Sequence, residues 1–343
     1  MAVNLGLWLD TWNQEVAAIL RAGKPGFVLV GQGAWDQLLE ISEAAGNPLI
    51  ILREIGLRTD VDHPIASAQR LCGVAKRHPG LRCIAHGINE PTVETAEQRA
   101  TLVTWELAFT GEAHRQGVKT VCLNLAWGNP GDLTVLDELR PIHDASDFTG
   151  MHLYGVPGVE DLYSCYRYRL WPGWFDRGKL LSTEVGIDGL DRINGERPGW
   201  RTQGYTEELV SLVMLARSWD WAQDGIMGGI WFAAGTQHDE WAPYYPTLGM
   251  ARAWGESAAR FPQMPPPPLP IDIGGRIMTL AEQYPQLYTD WIGAGGNPEE
   301  AFEWFLRGQG VIQTDKAKAV EMLDNLKSHV EEMTRIVDQL PLG

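Results

Sequence analysis

The sequence lacks the features that mark several common classes of protein. No apolar run in its 343 residues reaches 18 residues, so we expect no membrane-spanning helix. Its first residues show no basic segment followed by a cleavage site, which predicts a cytoplasmic protein or one released without a classical signal peptide. The four cysteines match no zinc-binding or Cys-x-x-Cys spacing, which indicates buried thiols in a reducing compartment.

Positive charge is scarce as well. There are 28 lysines and arginines against 44 acidic residues, which gives a net charge of −16. An acidic surface repels phosphate backbones and anionic lipids, so we predict no nucleic-acid partner and no membrane partner. Polyanionic glycans are disfavoured for the same reason, whereas neutral substrates are not.

Signatures of cofactors and metals are also missing. The pair Gly31-Gln32-Gly33 lacks the third glycine of a dinucleotide-binding turn. The sequence has no His-Glu-x-x-His motif for zinc and no Gly-x-Ser-x-Gly elbow for a serine nucleophile. We therefore predict no cofactor and no metal.

What the sequence does contain is a regular alternation of short apolar runs and amphipathic segments. The runs are continuously apolar, which is typical of parallel strands buried on both faces. There are eight of them: Val3–Leu9, Phe27–Val30, Leu49–Leu52, Leu81–Ile88, Thr120–Leu125, Phe148–Tyr154, Leu180–Val185 and Ile226–Phe232. With helical segments between them they predict a (β/α)8 TIM barrel, an α/β fold; a doubly wound open sheet is the alternative.

The composition changes after the barrel segment. Six prolines in the nine residues from Pro262 to Pro270 predict a stiff, extended spacer. We therefore divide the chain into a catalytic barrel (1–261), a Pro-rich linker (262–270) and a helical C-terminal segment (271–343). Apolar residues at spacings of three and four along Thr314–Leu340 predict either a self-association or docking helix, or one helix of a small bundle.

Two carboxylates stand out at the predicted carboxyl ends of the strands, where the active sites of such barrels lie. Glu90 follows the fourth strand, and Glu184 ends the seventh. A single glutamate at a strand end is commonly an ion-paired residue. Two that face each other across the barrel mouth can flank one scissile bond, as glycoside hydrolysis requires.

Polar and aromatic residues end the other strands. Asn89 is suited to bind a sugar 2-hydroxyl, Arg53 to pair with a carboxylate, and Tyr154 to donate a hydrogen bond to the nucleophile. His152 is suited to hold a hydroxyl or to orient a carboxylate, and Trp231 to form the floor of a sugar subsite. The predicted substrate-binding residues are Asp10, Arg53, Asn89, Trp127, His152, Tyr154 and Trp231.

Tryptophan is unusually frequent, with 15 residues. Its flat apolar face suits the C–H face of a sugar ring, although tryptophan also simply packs cores. The loop after the seventh strand adds Trp200 and Arg197, and the loop after the eighth adds Trp241. Because long loops at this end of a barrel are commonly functional, we predict a cleft with several sugar subsites there.

The motif Asn89-Glu90-Pro91 resembles the acid/base motif of the retaining (β/α)8 glycoside hydrolases, the clan of cellulases, β-mannanases, β-galactosidases and β-xylosidases. Thr183-Glu184-Val185-Gly186 resembles the nucleophile motif of that clan, and His152-x-Tyr154 and Trp231 resemble its subsite residues. The resemblance covers roughly residues 1–261. It implies that Glu90 is the acid/base and Glu184 the nucleophile, with carboxyl groups about 5–5.5 Å apart.

The sequence therefore predicts a retaining β-glycosidase that acts on a neutral β-linked oligo- or polysaccharide without a cofactor. The alternative is a barrel that binds glycan without cleaving it and is attached to a larger assembly through its C-terminal helices. The two carboxylates argue against this alternative, because a binding protein gains nothing from their mutual repulsion.

Overall fold

Eight parallel strands form the centre of the described part of the chain. The computed structural model describes residues 5–157, 164–188, 197–236 and 239–260. The strands are β1 (Leu5–Leu9), β2 (Phe27–Gly31), β3 (Leu49–Arg53), β4 (Arg82–His86), β5 (Lys119–Leu125), β6 (Phe148–Tyr154), β7 (Leu180–Gly186) and β8 (Gly228–Gly235). Each strand pairs with the next, and β8 pairs with β1, which closes the barrel. The prediction of a (β/α)8 barrel is confirmed.

In the described part of the chain, seven α-helices lie between and after the strands. They are α1 (Gln14–Gly23), α2 (Leu38–Ala45), α3 (Pro64–Arg77), α4 (Ala96–Arg115), α5 (Leu136–Ala145), α6 (Glu207–Gln223) and α7 (Leu248–Arg260). Their starts follow from local sequence. The side chain of Asn13 caps α1 by accepting the Val16 N–H, and Thr95 and Gln98 form a reciprocal capping box at the start of α4.

The strands separate two apolar layers. One layer fills the barrel and consists of side chains such as Phe27, Leu29, Ile51 and Ile84. The other lies between strands and helices and includes alternate strand residues together with the inner faces of the helices. Because successive side chains of a strand point to opposite faces, a shift of one position along the strand moves a side chain from the barrel interior to the layer beneath the helices.

Most tryptophans belong to these layers. Of the 13 in the described residues, eight are buried: Trp8, Trp105, Trp171, Trp200, Trp219, Trp221, Trp231 and Trp254. Trp127 is the most exposed tryptophan in that part of the chain, with 40% of its surface accessible. The abundance of tryptophan is therefore mainly a property of the packing. The four cysteines are free thiols, three of them buried and Cys83 partly so.

Some predicted boundaries differ from those observed. The fourth strand ends at His86, so Glu90 stands in the loop that follows it. The eighth strand runs from Gly228 to Gly235 and not from Ile226 to Phe232. Within the described residues, no helix is both long enough and apolar enough to cross a membrane. The predicted linker (262–270), the C-terminal segment (271–343) and the helix Thr314–Leu340 lie outside the described residues.

Candidate active site

Five of the predicted site residues meet at the carboxyl ends of the strands. Arg53 is the last residue of β3. His152 and Tyr154 lie at the end of β6, and Glu184 lies near the end of β7. Glu90 reaches the same place from the loop after β4. The five residues come from β3, the loop after β4, β6 and β7, and the contacts of Glu184 and Glu90 bring them together at the barrel mouth.

Glu184 is the most firmly held of the two carboxylates. Its side chain is only 8% exposed. Arg53 Nη1 donates to Oε1 at 2.6 Å, and the Tyr154 hydroxyl donates to Oε2 at 2.9 Å. Burial and the charge of Glu184 raise the pKa of Tyr154 well above its ordinary value, so the phenol keeps its proton and remains a donor. The two donors fix the direction in which both oxygens point.

Glu90 is held much more loosely. Its side chain is 53% exposed, and its φ of 50° lies in the left-handed region that favours glycine. Backbone strain of this kind, about 1–2 kcal/mol, is concentrated at functional sites in proteins. His152 Nδ1 lies 3.1 Å from Glu90 Oε1, and this hydrogen bond lowers the pKa of Glu90 below its ordinary value.

His152 lies between the two carboxylates. Its Nδ1 atom is 3.1 Å from Glu90 Oε1 and 3.5 Å from Glu184 Oε2. One ligand atom from each of these three residues falls within 4.8 Å of the other two, so an oxygen of Glu90 lies within 4.8 Å of an oxygen of Glu184. A separation of this size leaves room for a scissile bond but not for an additional water molecule on the far face.

These three residues include the ligand types of a divalent cation, but the surroundings disfavour one. The guanidinium of Arg53 already contacts Glu184 at 2.6 Å, and the Tyr154 hydroxyl uses the other oxygen. A cation there would be placed beside a fixed positive charge, and it would compete with two donors for the same lone pairs. The arrangement suits an oriented carboxylate better than a metal ligand.

Several polar atoms around the carboxylates have no hydrogen-bond partner among the described residues. They are buried side-chain atoms for which the described residues supply no hydrogen bond: Trp8 Nε1, Arg53 Nε, Asn89 Oδ1 and His152 Nε2. Trp8 and Arg53 are also neighbours, with the guanidinium 5.7 Å from the ring centre. Because buried polar atoms are normally satisfied, such a group of orphan donors and acceptors indicates a place for a polar ligand.

Asp10 and Trp127 are placed differently from the central residues. Asp10 is buried and accepts the backbone N–H of Gly33 at 2.9 Å, so at least one of its oxygens holds the loop after β2. Trp127 stands in the exposed segment after β5. The structure does not bring either of them into hydrogen-bond contact with the two carboxylates among the described residues.

The assignment of Trp231 to the floor of a sugar subsite is wrong. Trp231 is fully buried between the barrel and the helices, where its indole N–H donates to the Tyr244 carbonyl and its ring packs against Trp254. The next residue, Phe232, points into the barrel mouth instead, 5.0 Å from Trp8 and 4.8 Å from Trp241 between ring centres. The sequence pattern found the strand, although with other bounds, but not the direction of each side chain.

Sequence reasoning missed Asp188 and Tyr244 at the rim of the same mouth. The Tyr244 hydroxyl donates to Asp188 Oδ1 at 2.9 Å, and burial raises the pKa of Asp188 to about 6. Arg197 lies over the ring of Trp241, 4.0 Å from its centre, and its charge acts on both Asp188 and Glu90. The position of Asp188, two residues beyond the end of β7, was the available signal.

The known proteins to which this chain is similar are solved structures. No protein-family model matches the chain, and no curated protein matches it. Among solved structures it is similar to a calcium-binding mutant of β-glucuronidase 2 from Bacteroides uniformis, at 12% identity and a TM-score of 0.49 over 73% of this chain. The chain spans only 34% of the length of that protein.

Two further solved structures are similar to this chain over 77% and 75% of its length. A family 5 glycoside hydrolase from Bifidobacterium longum, in complex with Manβ1-4GlcNAc, is 11% identical with a TM-score of 0.48 over 77% of this chain and 80% of its own. A fusion of a xylose isomerase-like TIM barrel with 4-hydroxyphenylpyruvate dioxygenase is 13% identical with a TM-score of 0.45 over 75% and 42%. The strand order of the chain itself, and not these similarities, establishes the (β/α)8 barrel.

Proposed function

We propose that the protein is a retaining β-glycosidase with Glu184 as nucleophile and Glu90 as acid/base. The observation that carries this proposal is the pair of carboxylates, whose oxygens approach within 4.8 Å at the barrel mouth with His152 between them. Retaining enzymes need the shorter of the two carboxylate separations used by glycosidases, because the second carboxylate itself attacks the anomeric carbon.

The roles follow from the different surroundings of the two groups. Glu184 attacks the anomeric carbon while the bond to the leaving oxygen breaks and the proton of Glu90 passes to that oxygen. The ionised Glu90 then takes a proton from a water molecule, which attacks the anomeric carbon and releases Glu184. Arg53 and Tyr154 orient Glu184, so its attack needs no rearrangement of the carboxylate.

The lowered pKa of Glu90 in the free protein bears on the first of these steps. An acid must carry its proton when the substrate arrives, and the hydrogen bond from His152 favours the ionised form. A bound sugar that covers Glu90 removes water from a side chain now 53% exposed, which favours the protonated form. We therefore expect an acidic optimum for kcat/KM, which reports the free enzyme.

A neutral β-linked oligo- or polysaccharide is the substrate class that the site suits best. The orphan atoms of Trp8, Arg53, Asn89 and His152 offer donors and acceptors to several hydroxyl groups around one carboxylate pair. Trp127, exposed after β5, offers a stacking face at a neighbouring position. The net charge of −16 disfavours polyanionic glycans.

The test is the release of reducing ends from β-glucan, mannan, xylan, galactan and cell-wall material. The native protein is compared with Glu184→Gln, which keeps the size of the side chain. Release by the native protein alone supports the proposal and identifies the sugar. Absence of release from every member, together with saturable binding to one of them by both proteins, would contradict it and favour the non-catalytic binder.

A further inference from the structure

A buried asparagine joins the two segments that carry the candidate catalytic carboxylates. Asn124 lies in β5 and is fully buried. Its Nδ2 atom donates to the carbonyl of Ile88 at 3.1 Å, and its Oδ1 atom accepts from the hydroxyl of Thr183 at 3.2 Å. Ile88 stands two residues before Glu90, and Thr183 stands immediately before Glu184, so one side chain spans both segments.

The main chain of the same residue makes a third link. The N–H of Glu90 donates to the Asn124 carbonyl at 3.0 Å. This bond holds the backbone of Glu90 in its left-handed conformation, where a residue other than glycine needs support. Asn124 therefore contacts the Glu90 segment through both its main chain and its side chain.

The fold makes room for this contact at two places. The pairing of β5 with β6 shifts between Cys122 and Leu125, and Leu123 has a φ of 76°, so a bulge turns Asn124 toward the neighbouring strands. A Cβ atom at Gly150 of β6 would collide with Asn124 Oδ1, so the glycine allows the side chain to pass β6 and reach β7. A bulge and a glycine at adjoining positions are a costly arrangement for packing alone.

We propose that Asn124 is a positioning residue that sets the separation and relative direction of Glu90 and Glu184. It touches neither the substrate nor the reacting atoms, and it acts through Ile88, the Glu90 main chain and Thr183. The kinetic part of this inference rests on the proposed function. Its structural part, the arrangement of the carboxylates with His152, does not.

Two variants and one control test the inference in the full-length protein. Asn124→Ala removes both side-chain links, and Thr183→Val removes one of them with little change of shape. Thr149→Val is the control, because Thr149 is equally buried and its hydroxyl bonds to His143 on the helix side of β6. Thermal unfolding of all three separates lost stability from lost positioning.

For the Asn124→Ala protein we expect kcat to fall about 100-fold while KM stays within about threefold, because misplaced catalytic groups slow the chemical step. Thr183→Val should give a smaller loss of the same kind, and the double variant should lose no more than Asn124→Ala alone. Thr149→Val should keep its kcat per folded molecule. Equal kcat in Asn124→Ala and Thr149→Val would overturn the inference.

A second readout does not depend on hydrolysis. The titration of the Glu90 carboxyl, followed by carbon NMR, should move upward by about half a pH unit in Asn124→Ala, because the bond to His152 needs the present position of Glu90. No movement should occur in Thr149→Val. If the native protein cleaves no glycoside, the proposed function fails, and this titration alone decides whether Asn124 positions the pair; an unchanged titration rejects it.

Discussion

The two ends of the candidate site are built in opposite ways. Glu184 lies within a strand, is 8% exposed, and receives one hydrogen bond on each oxygen. Glu90 lies in a loop beyond its strand, is 53% exposed, and has one side-chain partner in an unusual backbone conformation. A nucleophile profits from a fixed direction, whereas an acid/base must exchange its proton with solvent and substrate. The contrast therefore supports the assignment of the two roles.

The largest effect is expected on the fixed side. Glu184→Gln should lower turnover of every substrate by about 10⁴-fold or more, because an amide cannot form the glycosyl-enzyme. Activity on activated aryl glycosides should be lost together with activity on natural substrates. Turnover of each class is measured beside thermal unfolding, which should show a folded barrel. A variant that kept its activity on aryl glycosides would break the comparison, since Glu184 would then not be the nucleophile.

On the exposed side we expect a loss that depends on the leaving group. Glu90→Gln should lower kcat/KM for natural oligosaccharides by about 10²–10⁴-fold, the usual contribution of a general acid. Aryl glycosides with good leaving groups need no protonation, so their kcat/KM should remain close to that of the native protein. Their kcat should fall, because water is no longer activated, and added azide should restore it. Equal losses for both leaving groups would remove the distinction between the two carboxylates.

Much of this contrast could be predicted from the sequence. The eight apolar runs gave the barrel, because buried parallel strands leave a continuous apolar pattern that needs no tertiary information. Glu90 and Glu184 were found for the same reason, since Glu90 follows such a run and Glu184 lies at the end of another. The fixed and loose surroundings could not be found, because they depend on partners far along the chain: Arg53 and Glu184 are 131 residues apart.

The errors have a common physical origin. Trp231 was predicted to face the site where Phe232 is found, because the direction of each side chain depends on the register of β8. The β7–β8 pairing shifts between Ser182 and Val185. Asn124 carried no signal, because its role needs the bulge at Leu123 and the space at Gly150. Patterns of two and 3.6 residues locate elements, whereas bulges decide which side chains meet at their ends.

The support behind Glu90 differs from that behind Glu184, and stability should show it. Glu106 of α4 is buried, accepts the N–H of Ile88 at 3.1 Å, and has its pKa raised from 4.5 to about 7 by burial. A folded carboxyl that keeps its proton to higher pH than the unfolded one stabilises the fold below pH 4.5, and this contribution is lost as the pH rises through 7. The loss amounts to about 3 kcal/mol.

Glu106→Gln cannot ionise, so its free energy of unfolding relative to the native protein should rise by about 3 kcal/mol between pH 4 and pH 8. Urea unfolding of both proteins at these pH values measures it. Glu112→Gln, on the same helix, is the control of opposite sign. Arg115 lowers the pKa of Glu112 from 4.5 to about 2, so that variant should lose stability relative to the native protein as the pH rises from 2 to 4.5, and this pair is also measured at pH 2.5. If the difference in the free energy of unfolding between Glu106→Gln and the native protein did not change with pH, burial would not be raising the pKa of Glu106.

The smallest effect concerns the residue between the two carboxylates. His152→Gln removes the ring whose Nδ1 lies 3.1 Å from Glu90 and 3.5 Å from Glu184. The bond to His152 lowers the pKa of Glu90, so its removal should raise that pKa, and the fall of kcat/KM at increasing pH should begin at a higher pH. The pH profile of kcat/KM on a natural oligosaccharide measures this shift. The apparent pKa read from that profile belongs to the coupled pair of carboxyls and not to one of them alone. His143→Gln, which removes a buried histidine bonded to Thr149 on the helix side of the barrel, should leave the profile in place. If kcat/KM of His152→Gln falls at the same pH as that of the native protein, the hydrogen bond to His152 does not control the pKa of Glu90. The weakly held side of the site would then lack a partner that fixes its protonation as well as its position.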